Sequence, residues 1–211
     1  MTVHPQKEGY YTSREKNRTS FQYGPLDDQI YHYKPDPANP VIFHLQKKGE
    51  AAALIYRQTL YGFKPDGTPH YLDLTTGKKT VGGSVAGDLE VQFVRSAASS
   101  VPQDFSWSLV LKGVGRAGLV EANEEFAFTA PEAGYLSSIE YHYDFGTSDY
   151  KRELTKKYYV RGSDGKLYAR LEATILPKYN DESAIDLRVF LNPSGSRNLE
   201  YDEGKQINKQ E

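Results

Sequence analysis

There is no cysteine in the 211 residues, which removes disulfide staples, zinc ribbons and thiol nucleophiles together. Cytosolic proteins and bacterial exported proteins can both lack the residue, so compartment stays open. Methionine and tryptophan occur once each. No sign of charge dominates: 26 basic residues face 28 acidic ones, for a net charge of −2. A nucleic-acid binder concentrates basic residues on one face. Here Lys47-Lys48, Lys78-Lys79 and Lys156-Lys157 are short doublets that read as solvated strand ends, so no nucleic-acid partner is expected. No apolar run approaches the roughly 18 residues of a membrane span, and membrane insertion is not expected. The opening Met1-Thr2-Val3-His4-Pro5 lacks the charged and apolar regions of a signal peptide. On that reading the chain is either cytoplasmic or a piece of a longer exported protein.

What is abundant is tyrosine: 17 Tyr and 9 Phe offset a modest hydrophobic fraction of 38 %. Aromatic and β-branched side chains favour pleated, half-buried surfaces. Period-two alternation recurs from residue 41 onward. Val41-Ile42-Phe43-His44-Leu45 is a compact apolar run, and Asp88–Phe93 alternates. Phe105, Trp107, Leu109 and Leu111 give the clearest buried face. In Ala52–Phe63 the alanines favour helix, whereas Ile55, Tyr56, Thr59 and Tyr61 favour strand. Ile139, Tyr141 and Tyr143 share one face, opposed by Glu140, His142 and Asp144. Gly162-Ser163-Asp164-Gly165 joins two strand-like runs as a hairpin loop, beyond which Leu167, Leu171 and Ala173 face in and Arg170 and Glu172 face out. Ile185, Leu187, Val189 and Leu191 close the series. About ten such runs with turn residues between them predict an all-β fold: an antiparallel β-sandwich, jelly-roll-like or Ig-like, with little helix.

The prolines set the expected boundaries. Pro35, Pro37 and Pro40 fall within six residues, and each fixes φ and removes a backbone donor. Residues 1–40 therefore read as an extended N-terminal arm, 41–203 as the main sandwich, and the polar stretch 204–211 as a disordered tail.

Three segments carry a likeness to a known family. They are Pro40-Val41-Ile42-Phe43-His44-Leu45-Gln46-Lys47-Lys48-Gly49-Glu50, Gly67-Thr68-Pro69 and, most specifically, Phe190-Leu191-Asn192-Pro193-Ser194-Gly195-Ser196-Arg197-Asn198-Leu199-Glu200. The chain resembles the C-terminal β domain of uncharacterised exported bacterial proteins, where that domain follows a carboxypeptidase-regulatory-like (transthyretin-like) sandwich. Gln6-Lys7-Glu8-Gly9-Tyr10-Tyr11 looks like the last strand and turn of such a sandwich. The resemblance implies a secreted or cell-envelope setting, residues 1–40 as the remnant of an upstream sandwich, and a native start other than Met1. It supplies no catalytic residue.

Gly83-Ser84-Val85-Ala86-Gly87 lacks the spacing of a nucleophile elbow. Ser194 sits in a turn, where its hydroxyl bonds locally. The five histidines, His4, His32, His44, His70 and His142, are scattered singly. A zinc or copper centre would have to be assembled from separated strands, with His32, His70 and His142 as ligands. Glu121, Glu124, Glu125, Glu140, Asp144 and Glu172 could supply the paired carboxylates of a glycosidase, but sequence selects no pair. Tyrosine offers a flat ring plus a hydroxyl. Tyr31 and Tyr33 flank one histidine, and Tyr141 and Tyr143 another, so each pair lies on one strand face. That face is a binding platform if exposed and core if buried.

These observations lead to a non-catalytic binding or accessory module of an exported bacterial protein. Its expected partner is a glycan or a cell-surface protein, with Tyr31, Tyr33, Tyr141 and Tyr143 as binding candidates and no cofactor. The alternatives are a carbohydrate-active or metal-dependent enzyme and a structural spacer. The sequence leaves the oligomeric state open.

Overall fold

The computed structural model describes residues 2–12, 21–22, 38, 40, 42–82, 87–97, 101 and 104–207. The arm residues Tyr31, His32 and Tyr33, and most of the proline cluster, lie outside the described residues. The chain divides into two compact units, Met1–Glu50 with Glu124–Phe126, and Ala51–Asn123 with Ala127–Glu211.

In the first unit β1 (Thr2–Val3), β2 (Tyr10–Thr12), β3 (Phe21–Gln22) and β4 (Leu45–Lys47) form two antiparallel pairs, β1 with β3 and β2 with β4. Within the apolar run at 41–45, the strand begins at Leu45 and Ile42 is 63 % exposed.

The second unit holds β5 (Ile55–Phe63), β6 (His70–Leu72), β7 (Lys79–Val81), β8 (Leu89–Ala97), β9 (Phe105–Gly113), β10 (Gly118–Glu121), β11 (Ser138–Tyr143), β12 (Leu154–Arg161), β13 (Tyr168–Tyr179) and β14 (Glu182–Asn192). They form two antiparallel sheets, β10-β12-β13-β14-β5 and β11-β9-β8-β6-β7, packed as the expected β-sandwich. The ambiguous run before Phe63 is strand from Ile55, so the β-branched and aromatic side chains override the alanines. Among the described residues the only helical turn is the 3-10 segment Glu203–Lys205.

Period two decides which side chains meet between the sheets. Phe105, Trp107, Leu109 and Leu111 of β9 lie against Leu171, Ala173, Ile185 and Leu187 in one buried cluster. At one lateral side the sheets are stitched together, because Leu119 beside β12 exchanges two backbone hydrogen bonds with Leu136, two residues before β11. Glycine is required just there. A Cβ on Gly118 would sit 2.8 Å from the Tyr135 side chain, and one on Gly113 2.1 Å from the Ala117 carbonyl oxygen.

The outer face of the β10–β5 sheet is partly covered. Tyr159 and Phe190 pack with Leu54, Ala127, Ala130 and Leu199 in a second buried cluster. Arg170, expected to face solvent, is on that outer face but only 4 % exposed, because residues 127–130 lie over it. The C-terminal strap is held to the same side. Ile207 N–H donates to the Leu54 carbonyl and Lys205 Nζ to the Ala51 carbonyl, which fixes residues 205–207 of the stretch expected as a tail. The Phe190–Glu200 motif is a self-braced turn. Asn192 Oδ1 accepts from Ser194 N and Oγ, Asn192 Nδ2 donates to the Asn198 carbonyl, and Asn198 Oδ1 accepts from Glu200 N. Ser194 thus bonds locally, its hydroxyl donating to Asn192 Oδ1 and accepting from the Ser196 backbone N–H at 3.3 Å.

Candidate functional site

Strand β11 presents chemistry on both faces because its residues alternate. It is the edge of its sheet, paired through Ile139↔Leu111, Tyr141↔Leu109 and Tyr143↔Trp107 with β9. Tyr141 and Tyr143 therefore point toward the interior with Trp107, while Glu140 and His142 point outward with Ser108 and Val110.

The inward face builds a polar cluster where β10 and β11 diverge from their stitched corner. The Tyr141 hydroxyl donates to Glu121 Oε1 and lies 2.9 Å from the Tyr158 hydroxyl. Lys156 Nζ donates to Glu121 Oε2 at 2.6 Å and stands 5.6 Å from the centre of the Tyr141 ring. Burial works against the Glu121 charge, yet hydrogen bonds from Lys156 and Tyr141 outweigh it, and the carboxyl titrates below its ordinary value. Burial, then the bonds to Glu121 and Tyr158, push the Tyr141 phenol far up. Burial likewise pushes Tyr158 up. The shifts of Glu121, Tyr141 and Tyr158 all run away from neutrality.

This cluster was half legible. Glu121 and Tyr141 were candidates, whereas Lys156 was assigned to a solvated doublet. The available signal was the alternation Leu154, Lys156, Tyr158, Val160, which puts a lysine on an apolar face, where its stem can be buried.

Tyr143 stacks on the buried Trp107 ring, centroids 4.8 Å apart, and is partly buried against the core. At the end of the strand Phe145 and Tyr150 meet nearly edge to face at 81°. The rings of this corner do not form one flat platform.

The two described histidines of the candidate centre, His70 and His142, stand apart. His70 is buried on the inward face of β6, with its Nδ1 2.9 Å from the Thr68 carbonyl oxygen. His142 is exposed on the outward face of β11, 3.1 Å from Asp144 Oδ1. Strands β9 and β8 separate them in the sheet. His32 lies outside the described residues, and no group of three potential metal ligands occurs among those described. Several carboxylates find a cation or an imidazole in place of a second carboxylate: Glu121 with Lys156, Asp144 with His142, Glu125 with His44, Glu172 with Arg188.

The outward face of β8, β9 and β11 is a row of mixed side chains. Ladder pairing places Glu140, Val110 and Gln92 side by side, and likewise His142, Ser108 and Val94. Neither buried apolar cluster includes any of these residues. Glu140 and His142 are exposed and Val94 is 45 % exposed. Gln92 Nε2 donates to Glu90 Oε1 at 2.5 Å, and Lys112 Nζ is 3.9 Å from Glu90 Oε2.

No family model, curated protein or solved structure matches the chain.

Replacing Tyr141 by phenylalanine should remove both phenol bonds at once and cost about 1–2 kcal/mol in a urea titration at pH 7. Glu121 adds a pH signature. Its folded value is depressed, so its contribution is present above the ordinary carboxylate range and is lost as pH falls through the folded value. Glu121→Gln should be less stable than wild type at pH 7 and should lose less on acidification to pH 3. Equal losses in the two proteins would remove Glu121 as a source of acid sensitivity.

Proposed function

We propose that the chain is a non-catalytic binding or accessory module whose recognition surface is the outward face of β8, β9 and β11, and that its partner is a neutral glycan of a cell surface. The observation that carries this reading is the difference between the two outer faces. One is covered around Phe190 and Arg170, whereas the other leaves Glu140, His142, Gln92 and Ser108 among the valines Val94 and Val110. A sugar needs hydroxyl, amide or carboxylate partners for its hydroxyls and apolar surface for its C–H faces. That row offers both. Glu140, Glu90, Asp144 and Asp66 outnumber Lys112 around it, which disfavours polyanionic partners.

The inward cluster supports a binding role over acid–base catalysis. A general acid or base works best with a pKa near the operating pH. Glu121 is shifted down and Tyr141 and Tyr158 up, each away from neutrality. An exported setting is supported by the likeness of the Phe190–Glu200 motif alone.

The test is a neutral oligosaccharide array followed by titration calorimetry on the hits. Glu140→Ala with His142→Ala should weaken binding at least about tenfold, as loss of two direct polar partners implies, while thermal stability stays unchanged because both side chains are exposed. Binding that survives this pair but falls in Tyr31→Ala or Tyr33→Ala would move the platform to the N-terminal arm and overturn the assignment to β11.

A further inference from the structure

The lateral side opposite the stitched corner carries a titratable group of its own. Strands β5 and β7 are the sheet edges there. Strand β7 is three residues long, exposed along its whole length and, among the described residues, paired on one side only, to β6 through His70↔Val81, Tyr71↔Thr80 and Leu72↔Lys79. Its attachment to the other sheet is Lys79, whose Nζ donates to the Gly62 carbonyl and stands 5.4 Å from the centre of the Phe63 ring. The His70 ring packs edge-on against that same Phe63 ring, 5.3 Å between centroids, and is 2 % exposed. An imidazole and an ammonium thus share one apolar ring.

We propose that β7 is an acid-released edge strand, with His70 as the trigger and Lys79 as the group expelled. A proton on His70 would place a cation in a buried position, next to the ammonium of the exposed Lys79. The charged groups facing the imidazole are Lys79 from β7, Asp66 from the turn before β6, and Glu182 from the start of β14. Burial first and Lys79 second hold the imidazole below its ordinary value, against the smaller opposing effects of the Thr68 carbonyl, Asp66 and Glu182. The element able to yield at least cost is β7, because β6 keeps its second partner, β8, through His70↔Val91, Tyr71↔Glu90 and Leu72↔Leu89. Release leaves β6 as a new sheet edge with open backbone groups, the condition under which an added strand can pair.

The sign follows from linkage. A folded value below 6.5 means that the closed form is fully favoured above pH 6.5 and loses that advantage as pH falls below it. The opening constant of β7 should rise by up to about tenfold per pH unit.

Hydrogen exchange on the full chain, corrected for the intrinsic rate, reads this directly. Amides at 79–81 should lose protection as pH falls from 7 to 5, while 89–97 and 105–113 keep theirs. His70→Asn retains a side-chain amide but does not titrate, and should flatten the response. Lys79→Met, which keeps the imidazole and removes the ammonium beside it, should reduce it. Protection at 79–81 that is flat with pH in wild type, or a slope that persists in both variants, overturns the proposal. So does loss of protection at 79–81 in step with 89–97, which is global unfolding.

Discussion

Replacing Trp107 by alanine is expected to lower the stability of the second unit by about 3–5 kcal/mol, a large fraction of what a domain of this size possesses. The ring is 2 % exposed and sits in the buried face of β9, among side chains of both sheets, so no neighbour can collapse into its volume without moving a strand. Two directional contacts go with it. Nε1 donates to the Lys151 carbonyl at 2.7 Å, holding the loop after β11, and the Tyr143 ring stacks 4.8 Å away. Trp107→Phe separates the two contributions, because it keeps most of the apolar volume and loses the bond. It should cost about 1–3 kcal/mol, from the lost hydrogen bond to a partly buried carbonyl plus a small cavity. Trp107 is the only tryptophan, so the variants must be followed by circular dichroism in urea. A loss below about 1 kcal/mol for the alanine variant would contradict the central packing position assigned to the ring.

The alternation at Phe105–Leu111 was legible because both neighbours of β9 are strands and its inward face is wholly apolar, so local pattern and final burial agree. The same logic succeeded at Ile185–Leu191, whose inward residues are all buried. It failed where burial comes from segments distant in sequence. Nothing local to Leu167–Ala173 announces that 127–130 and 197–199 will lie across the far side of β13, and so Arg170 reads as a solvent-facing residue. Phe190 follows the same rule, since it occupies a polar-phase position of β14 and is buried by the second cluster instead of the first. Lys156 was missed for the complementary reason. An inward-phase lysine near a sheet edge can extend its charge to Glu121 while its stem stays packed.

Arg170 is where the uncharted second cluster should show its energetic weight. Its guanidinium lies 4.0 Å from the centre of the Phe190 ring and 5.6 Å from that of Phe128, and its Nη1 donates to the Ala127 carbonyl at 3.1 Å. Its Nε is 3.6 Å from Glu172 Oε1, whose other oxygen meets Arg188 at 3.1 Å. Truncation to alanine removes the aromatic contacts, strips a carbonyl of its donor and leaves Glu172 with one cation in a site where it is only 14 % exposed. The expected loss is about 3–5 kcal/mol, the range for breaking a buried ion pair from one side. Arg170→Met with Glu172→Gln removes both charges and refills the space, and should recover most of that loss, because the desolvation cost of the pair disappears along with its attraction. Arg170→Lys should fall between them, since an ammonium cannot place a planar fork over Phe190 and reach Ala127 at the same time. Urea midpoints of the three variants, with limited proteolysis at 127–136, distinguish the outcomes. If Arg170→Ala leaves that segment as protected as in wild type, then the buried guanidinium is a passenger of the apolar packing, and Leu54, Ala130, Phe190 and Leu199 hold the cover in place without it.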